Sequence, residues 1–307
     1  MPEKLVYFFC HRLDRDPVAL HVFDACQRHA AFEETAITVD GLPVLQWVDE
    51  NGNVIHLVRT DVVVTDGYNS YMDVMSDHFP DATAACAVNW HEGTNAPDRI
   101  LSVHSNADIP SGNFGITDPA WMRALLLASE AARVRFELAD WSVAVEASHW
   151  SGSVSGSRPE LVAMFPVPMF DVEIGSNPSS WANPRAAQAV AVALLQAPRW
   201  RSPVVCSLLC VGGIHFETAF RDGVFASHQP GLAVSHVLPT RWIQGDGYKG
   251  AAGVERMRHC VATIAGGVNA VVCHDSLKSD QKACCRELAD ELSVPCVKHR
   301  LLRNGSL

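Results

Sequence analysis

Four of the fourteen histidines, His104, His149, His215 and His236, fall at or just past the ends of apolar stretches that read as β-strands. Open α/β sheets place their ligand crevice at such strand ends. His104 follows Ile100-Leu101-Ser102-Val103, and His149 follows Val143 to Ser148. His215 follows the apolar run Val204 to Val211 through Gly212-Gly213, a pair that lets the backbone bend sharply and present the next side chain. His236 stands in Ser235-His236-Val237-Leu238-Pro239. A single histidine in such a place is usually structural or at the surface, but a gathered set could exchange protons near neutral pH or hold zinc. Two carboxylates, Asp171 and Glu173, alternate with Val172 and Ile174, which puts both acids on one face of a strand. There they could orient a histidine, bind a metal, hold a substrate amine, or simply face solvent. Glu146, three residues before His149, is a further partner for an imidazole.

Two other motifs are weak. Gly245-Asp246-Gly247-Tyr248-Lys249-Gly250 has glycines spaced for a dinucleotide, but Leu238-Pro239-Thr240-Arg241 before it makes a poor parallel strand, since proline lacks the ladder donor. Gly152-Ser153-Val154-Ser155-Gly156 puts valine where a nucleophile elbow needs serine. No Cys-x-x-Cys pair occurs among the ten cysteines, so neither a zinc ribbon nor a dithiol redox motif is indicated.

The elements that must position these groups read as an α/β chain. Strands are expected over Leu5 to Cys10, Asn53 to Val58, Ala84 to Val88, Ile100 to His104, Ser142 to Ala147, Met169 to Ile174, Val204 to Val211 and Val268 to Cys273. Helices fit Val18 to His29, Pro119 to Ala132, Pro184 to Leu195, Gly253 to Ile264 and Ser279 to Leu292. Asp118 before Pro119 and Asn183 before Pro184 each set a side-chain acceptor ahead of a helix-starting proline. The Ser/Gly-rich stretch 151–159 reads as a mobile loop beside a site rather than a linker, which leaves 1–307 as one domain.

With 48% hydrophobic residues in 307, the chain can bury a large core, and no apolar run reaches the roughly 18 residues of a membrane span, so a cytoplasmic protein with no membrane partner is expected. The net charge of −10 argues against general adhesion to DNA or RNA. That charge is uneven: residues 241–307 hold ten Lys and Arg against seven Asp and Glu, a net of +3, and the first 240 carry −13. The basic C-terminal part could take an RNA end or be an ordinary solvated helix face.

Taken in order, the motifs resemble a known family. Glu146-Ala-Ser-His149-Trp150-Ser-Gly152 resembles its Glu-Ala-Thr-His-His-Gly-Pro, and Asp171-Val-Glu173-Ile-Gly175-Ser176 with Trp181 resembles its Val-Glu-Ile-Gly-Ser and Trp. Gly212-Gly213-Ile214-His215-Phe216 is similar to Gly-Gly-Gly-His-Tyr, and Ser235-His236-Val237-Leu238-Pro239 to Gly-His-Ile-x-Pro. Val103-His104-Ser105-Asn106 and His274-Asp275-Ser276-Leu277-Lys278 match two further elements. The family is the archaeal and plant type of D-aminoacyl-tRNA deacylase. Trp150 replaces the second histidine of a pair, Asn89-Trp90-His91 stands for Ser-Arg-His, and Ile214 and Ser235 replace glycines, which marks a divergent member.

The resemblance implies a three-layer α/β/α fold with a mixed central sheet, similar to phosphorylases and peptidyl-tRNA hydrolases, and a zinc-dependent hydrolase that proofreads tRNA by removing D-amino acids. A monomer is expected, with D-aminoacyl-tRNA as its partner. Under that reading His215 activates water directly or through the metal, His149 and His236 complete proton transfer, and Glu146, Glu173 and the backbone of Gly212 and Gly213 bind substrate. The metal ligands would come from His104, His149, Glu173 and His215. A tRNA-binding protein that has lost catalysis, and a metal-dependent hydrolase or phosphorylase of another small substrate, are the two alternatives.

Overall fold

The structure is a computed structural model that describes residues 2–93, 96–203, 205–226 and 231–304. The expected opening unit is present as β1 (Lys4–Cys10) and α1 (Ala19–His29). An unforeseen hairpin follows, β2 (Glu33–Val39) and β3 (Leu42–Val48), and then β4 (Val54–Thr60). Its turn is Asp40-Gly41, both at positive φ (49° and 76°), the geometry a two-residue hairpin loop needs. The chain continues through α2 (Tyr68–His78), β5 (Ala84–Glu92), β6 (Arg99–Ser105), the short pair β7 (Ala107–Asp108) and β8 (Asn113–Phe114), α3 (Pro119–Arg135), β9 (Ser142–Val145) and β10 (Met169–Ser176). After α4 (Pro178–Trp181) and α5 (Pro184–Trp200) come β11 (Val205–Val211), α6 (Thr218–Ala226), β12 (Gly231–Leu238), α7 (Gly250–Ala262), β13 (Ala270–Cys273), α8 (Ser279–Leu292) and β14 (Cys296–Lys298). Val204, the expected start of β11, lies outside the described residues.

The central sheet has the order β2-β3-β4-β1-β5-β10-β6-β9 and is mixed, because β6 runs antiparallel to β10 while β4, β1, β5 and β10 are mutually parallel. One of its faces packs under α1, α3 and α5, with Phe9, Val88, Val172 and Val103 meeting Val22, Leu125 and Val190 in a single apolar cluster. The other face packs under α2 and the 159–164 segment, through Phe8, Tyr71, Met75 and Phe165. This is the expected three-layer α/β/α arrangement. A second sheet, wholly parallel in the order β12-β11-β13-β14, was not foreseen. Leu208, Val234 and Val272 of this sheet belong to the same apolar cluster as the first sheet's helices. β12 is parallel to β11 and ends at Leu238, so Pro239-Thr240-Arg241 lie outside the strand, as the missing proline donor led one to expect. No helix among the described residues is long and apolar enough to cross a membrane.

Both expected caps form. Asp118 Oδ1 accepts from Ala120 N (2.8 Å) and Trp121 N (3.3 Å), and Asn183 Oδ1 accepts from Arg185 N (3.0 Å) and Ala186 N (3.1 Å). Asp118 also pairs with Arg201 through Oδ2 at 3.0 Å. Asp118→Ala should therefore cost about 1–2 kcal/mol in urea unfolding, and Asp118→Asn, which keeps the capping oxygen, should recover most of it. Equal losses in both variants would show that the ion pair with Arg201, not the cap, carries the effect.

Candidate active site

Alternation along three neighbouring strands lines up one polar seam. On β10, Asp171 lies opposite Ala87 of β5 and His104 of β6, and Glu173 lies opposite Asn89 and Ser102. The intervening Val172, Val88 and Val103 point the other way, into the apolar cluster under α1, α3 and α5. The same two-residue period carries β5 on to His91.

The remaining groups arrive on a crossing segment. β9 was expected to reach Ala147 but stops at Val145, because residues 146–149 leave the sheet to stitch it to the second one. Glu146 N donates to Val103 O (3.1 Å), Ala147 N to His215 O (2.9 Å) and Ser148 N to Val237 O (3.0 Å). Gly212 and Gly213, at φ 94° and 84°, turn the chain out of β11 so that His215 meets this segment.

The result is two adjoining groups of donors. His91, Glu146 and His215 form one and His104, His149 and Glu173 the other, the ligand atoms within each lying within 4.8 Å of one another. Glu146 Oε1 is the hub, 2.6 Å from His215 Nε2, 3.4 Å from His91 Nε2 and 3.8 Å from His149 Nδ1. His104 Nε2 lies 3.6 Å from Asp171 Oδ2 and 3.5 Å from Glu173 Oε1, and its ring stacks on that of His149 at 3.9 Å. Phe216 packs against His91 and His215, and Trp242 against His149 and His215.

The hydrogen bonds of the outer ring nitrogens set the tautomers. His104 Nδ1 donates to Ser105 O (3.2 Å), His149 Nδ1 to Ala147 O (3.0 Å), and His91 Nδ1 to Ser176 Oγ (2.8 Å), whose own hydroxyl is spent on Pro97 O. When neutral, each ring then carries its lone pair on Nε2. For His104 and His91 that lone pair faces carboxyl oxygens, an arrangement that needs a proton or a cation between the two. The buried atoms His104 Nε2, Glu146 Oε2, Asp171 Oδ1, Glu173 Oε2 and Asn89 Oδ1 have no hydrogen-bond partner. Buried orphans of this kind call for an explanation, and a divalent cation bound among them would supply one. Neutral imidazoles with carboxylate oxygens are a zinc-type donor set.

The electrostatics agree. Burial draws His104 and His149 down to about 4, with the neighbouring His104 adding to the effect at His149, and it lowers His91 as well. All three are therefore neutral, as metal ligands must be. Burial raises Asp171 to about 7 and lifts Glu173 further, reinforced by the charges of Glu146 and Asp171. Burial also works against ionised Glu146, but it is held below the usual carboxylate range, the hydrogen bond from His215 being the largest opposing cause. Of the two adjoining glutamates, Glu146 is thus the ionised one.

Of the residues singled out from the sequence, His104, His149, His215, Glu146 and Glu173 come together here. His236 is held apart: it is fully buried, with Nδ1 bonded to Ser148 Oγ (3.1 Å) and Nε2 facing Gly115 O (3.2 Å). The N–H groups of Gly212 and Gly213 are already donated to Leu238 O (2.8 Å) and Ser276 Oγ (3.3 Å). Trp150 turns into the apolar cluster under α2, on the same sheet face as the polar seam, 5.3 Å from Tyr68 between ring centroids, and neither donor group includes it. The stretch 151–159 begins with a 3₁₀ turn over Ser151–Ser153 and is tied down by Ser151 Oγ to Thr65 Oγ1 (2.9 Å). His91 and Asn89 were not among the candidates. Their signal was there, two polar side chains at strand period in the otherwise apolar run of β5.

Known proteins place this arrangement. A crystal structure described as a conserved protein of unknown function superposes with TM-score 0.75 over 98% of this chain and 97% of that one, at 17% identity, which shows a common fold. A protein from Methanocorpusculum labreanum named D-aminoacyl-tRNA deacylase is 32% identical over 174 residues, 53% of this chain and 34% of that protein. One of the same name from Methanoculleus marisnigri is 28% identical over 239 residues, 75% of this chain and 48% of that protein. The chain thus spans at most about half the length of these relatives. The sequence profile described as D-aminoacyl-tRNA deacylase matches residues 78–297, from the end of α2 to β14, and includes every residue of both donor groups: this chain belongs to the D-aminoacyl-tRNA deacylase family.

Proposed function

We propose that the chain hydrolyses the ester joining a D-amino acid to the terminal ribose of tRNA, releasing the free amino acid and tRNA. The observation that carries this is the buried cluster in which His104 and His91 face the carboxylates of Asp171, Glu173 and Glu146, each of which keeps a second oxygen without a hydrogen-bond partner, in a chain of this family. His104, His149 and Glu173 would hold a zinc ion, with Asp171 behind them. Zinc bound there supplies Lewis acidity toward the ester carbonyl and acidifies water.

The chain's own groups do the rest. Glu146 accepts Nε2–H of His215, which leaves Nδ1 of His215 as a lone-pair nitrogen, and no hydrogen bond engages that nitrogen among the described residues. The side chain of His215 is 35% exposed where Glu146 is wholly buried, so it is the group an attacking water can reach. His215 takes the proton of that water and returns it to the leaving ribose oxygen, while Glu146 orients the ring and offsets its charge, the logic of a base held by a carboxylate. His236 fixes the crossing segment through Ser148, a positioning role. His215→Ala should lower turnover by roughly a hundredfold or more, the contribution usual for a general base. Unchanged turnover in a folded variant would take His215 out of the mechanism.

Matched D- and L-aminoacyl-tRNA offered to the purified protein test the whole reading. Release of the D-amino acid alone supports it. Cleavage of neither form would replace it with a binding protein or with a hydrolase of another small substrate.

A further inference from the structure

The second sheet is parallel, so the C-terminal ends of all its strands emerge on one side, and β11 sends His215 out from that same side. The loops leaving these ends are bound into one surface. Ser276 Oγ, beyond β13, accepts from Gly213 N (3.3 Å) and pairs with Thr240 Oγ1 (2.7 Å), beyond β12. His299, after β14, lies over His274 with 3.9 Å between ring centroids.

This surface gathers cations in an otherwise acidic protein. Arg241 follows Thr240, Lys278 follows Ser276 by two residues, and Lys298 and Arg300 flank His299. All four are exposed, and none makes an ion pair with an acid among the described residues. The acids in these loops are Glu217, which pairs with His274, Asp246, which pairs with Lys249, and Asp275 and Asp280, which do not cancel the four cations. Two exposed apolar side chains stand among them, Ile214 (67%) beside His215 and Leu301 (48%) beside Arg300. The first 240 residues carry −13, so a polyanion is repelled elsewhere and drawn to this rim.

We propose that the rim of Arg241, Lys278, Lys298 and Arg300 binds the backbone phosphates of the RNA acceptor arm whose ester-bearing end reaches Glu146 and His215. This rests on the deacylase reading and adds where the RNA lies. Neighbouring strands are about 4.8 Å apart, which sets β14 roughly 10 Å from β11. The chain of cations therefore leads across the strand ends from the sheet edge toward the reacting group. Exposed phosphate-binding cations with apolar side chains between them suit a single-stranded end, whose bases and phosphates alternate.

The test is binding of uncharged tRNA, followed by fluorescence anisotropy across a salt series. In Lys278→Glu/Lys298→Glu/Arg300→Glu, Kd should rise tenfold or more, and the slope of log Kd against log salt should fall by about two to three, near one for each phosphate left without its cation. A control of the same kind, Arg28→Glu/Arg185→Glu on α1 and α5, should stay within about threefold of wild type. Since the three rim side chains have no ion-pair partner among the described residues, an unchanged thermal melt verifies folding. Triple-variant binding within twofold of wild type, or a control that weakens binding as much, overturns the rim. Binding needs no ester cleavage, so a wild type that cleaves D-aminoacyl-tRNA while the triple variant still binds normally overturns the rim alone. A wild type that neither binds nor cleaves overturns both proposals.

Discussion

Glu146→Gln is expected to lower kcat/KM for D-aminoacyl ester cleavage by about a thousandfold while leaving the protein folded. One of its carboxylate oxygens faces His215 at 2.6 Å, His91 at 3.4 Å and His149 at 3.8 Å. Glutamine keeps the volume but not the charge, and it offers His215 an amide in place of the acceptor that holds its Nε2–H. The base then loses both its orientation and the partner for its positive form. Because Glu146 is held ionised in its hydrogen bond with His215, removing the charge breaks a buried pair, and a lower melting temperature should accompany the loss of activity. Combining Glu146→Gln with His215→Ala should be little worse than the poorer single variant, as for residues that act as a unit. A fall of less than tenfold for Glu146→Gln, or full additivity in the double variant, would separate Glu146 from the base.

Removal of metal by a chelator should abolish turnover, with zinc restoring it, and the same treatment should lower the melting temperature by several degrees. The stability change follows from the donor set, because a ligand present at a thousand times its Kd stabilises the folded state by about 4 kcal/mol. The metal-free protein should also respond to pH in a definite direction. The carboxyls of Asp171, at about 7, and Glu173, raised further, bind protons in the folded state that the unfolded chain has already released. Their effect is therefore stabilising at low pH and is lost as pH rises through the folded values. His104, His149 and His91, held neutral by burial, oppose this below their ordinary range near 6.5 and are silent above it. Between about pH 6.5 and 7 the metal-free protein should accordingly lose stability as Asp171 releases its proton, by at most about 1.4 kcal/mol per pH unit, and zinc should flatten the dependence. A melting temperature indifferent to zinc at both pH values would argue that the orphaned donors hold water or protons instead.

Local chemistry was legible in the sequence wherever it acts over a few residues. Asp118-Pro119 and Asn183-Pro184 announced α3 and α5, because a capping oxygen and a proline with preset φ work within a single turn. Strand alternation put Asp171 and Glu173 on one face, and the Gly212-Gly213 turn before His215 could be read from glycine's freedom alone. The Asp40-Gly41 hairpin obeyed an equally local rule and was open to the same reading.

Other features depend on which strands become neighbours, and periodicity carries no such information. That β11 to β14 form a separate parallel sheet decides that His236 is a buried brace with both ring nitrogens occupied while His215 reaches across to Glu146. Two histidines of the same residue type, each near the end of an apolar run, thus differ only through long-range pairing. His91 entered the site for the same reason: the register of β5 on β10 lines it up with Asn89 along the seam that holds Glu173. Residue types and their spacing determined that imidazoles and carboxylates were available at strand ends. Only the packing of two sheets against the 146–149 crossing decided which lone pairs face which oxygens, because contacts between residues 69 positions apart, such as Glu146 and His215, are made by tertiary folding and not by the local chain.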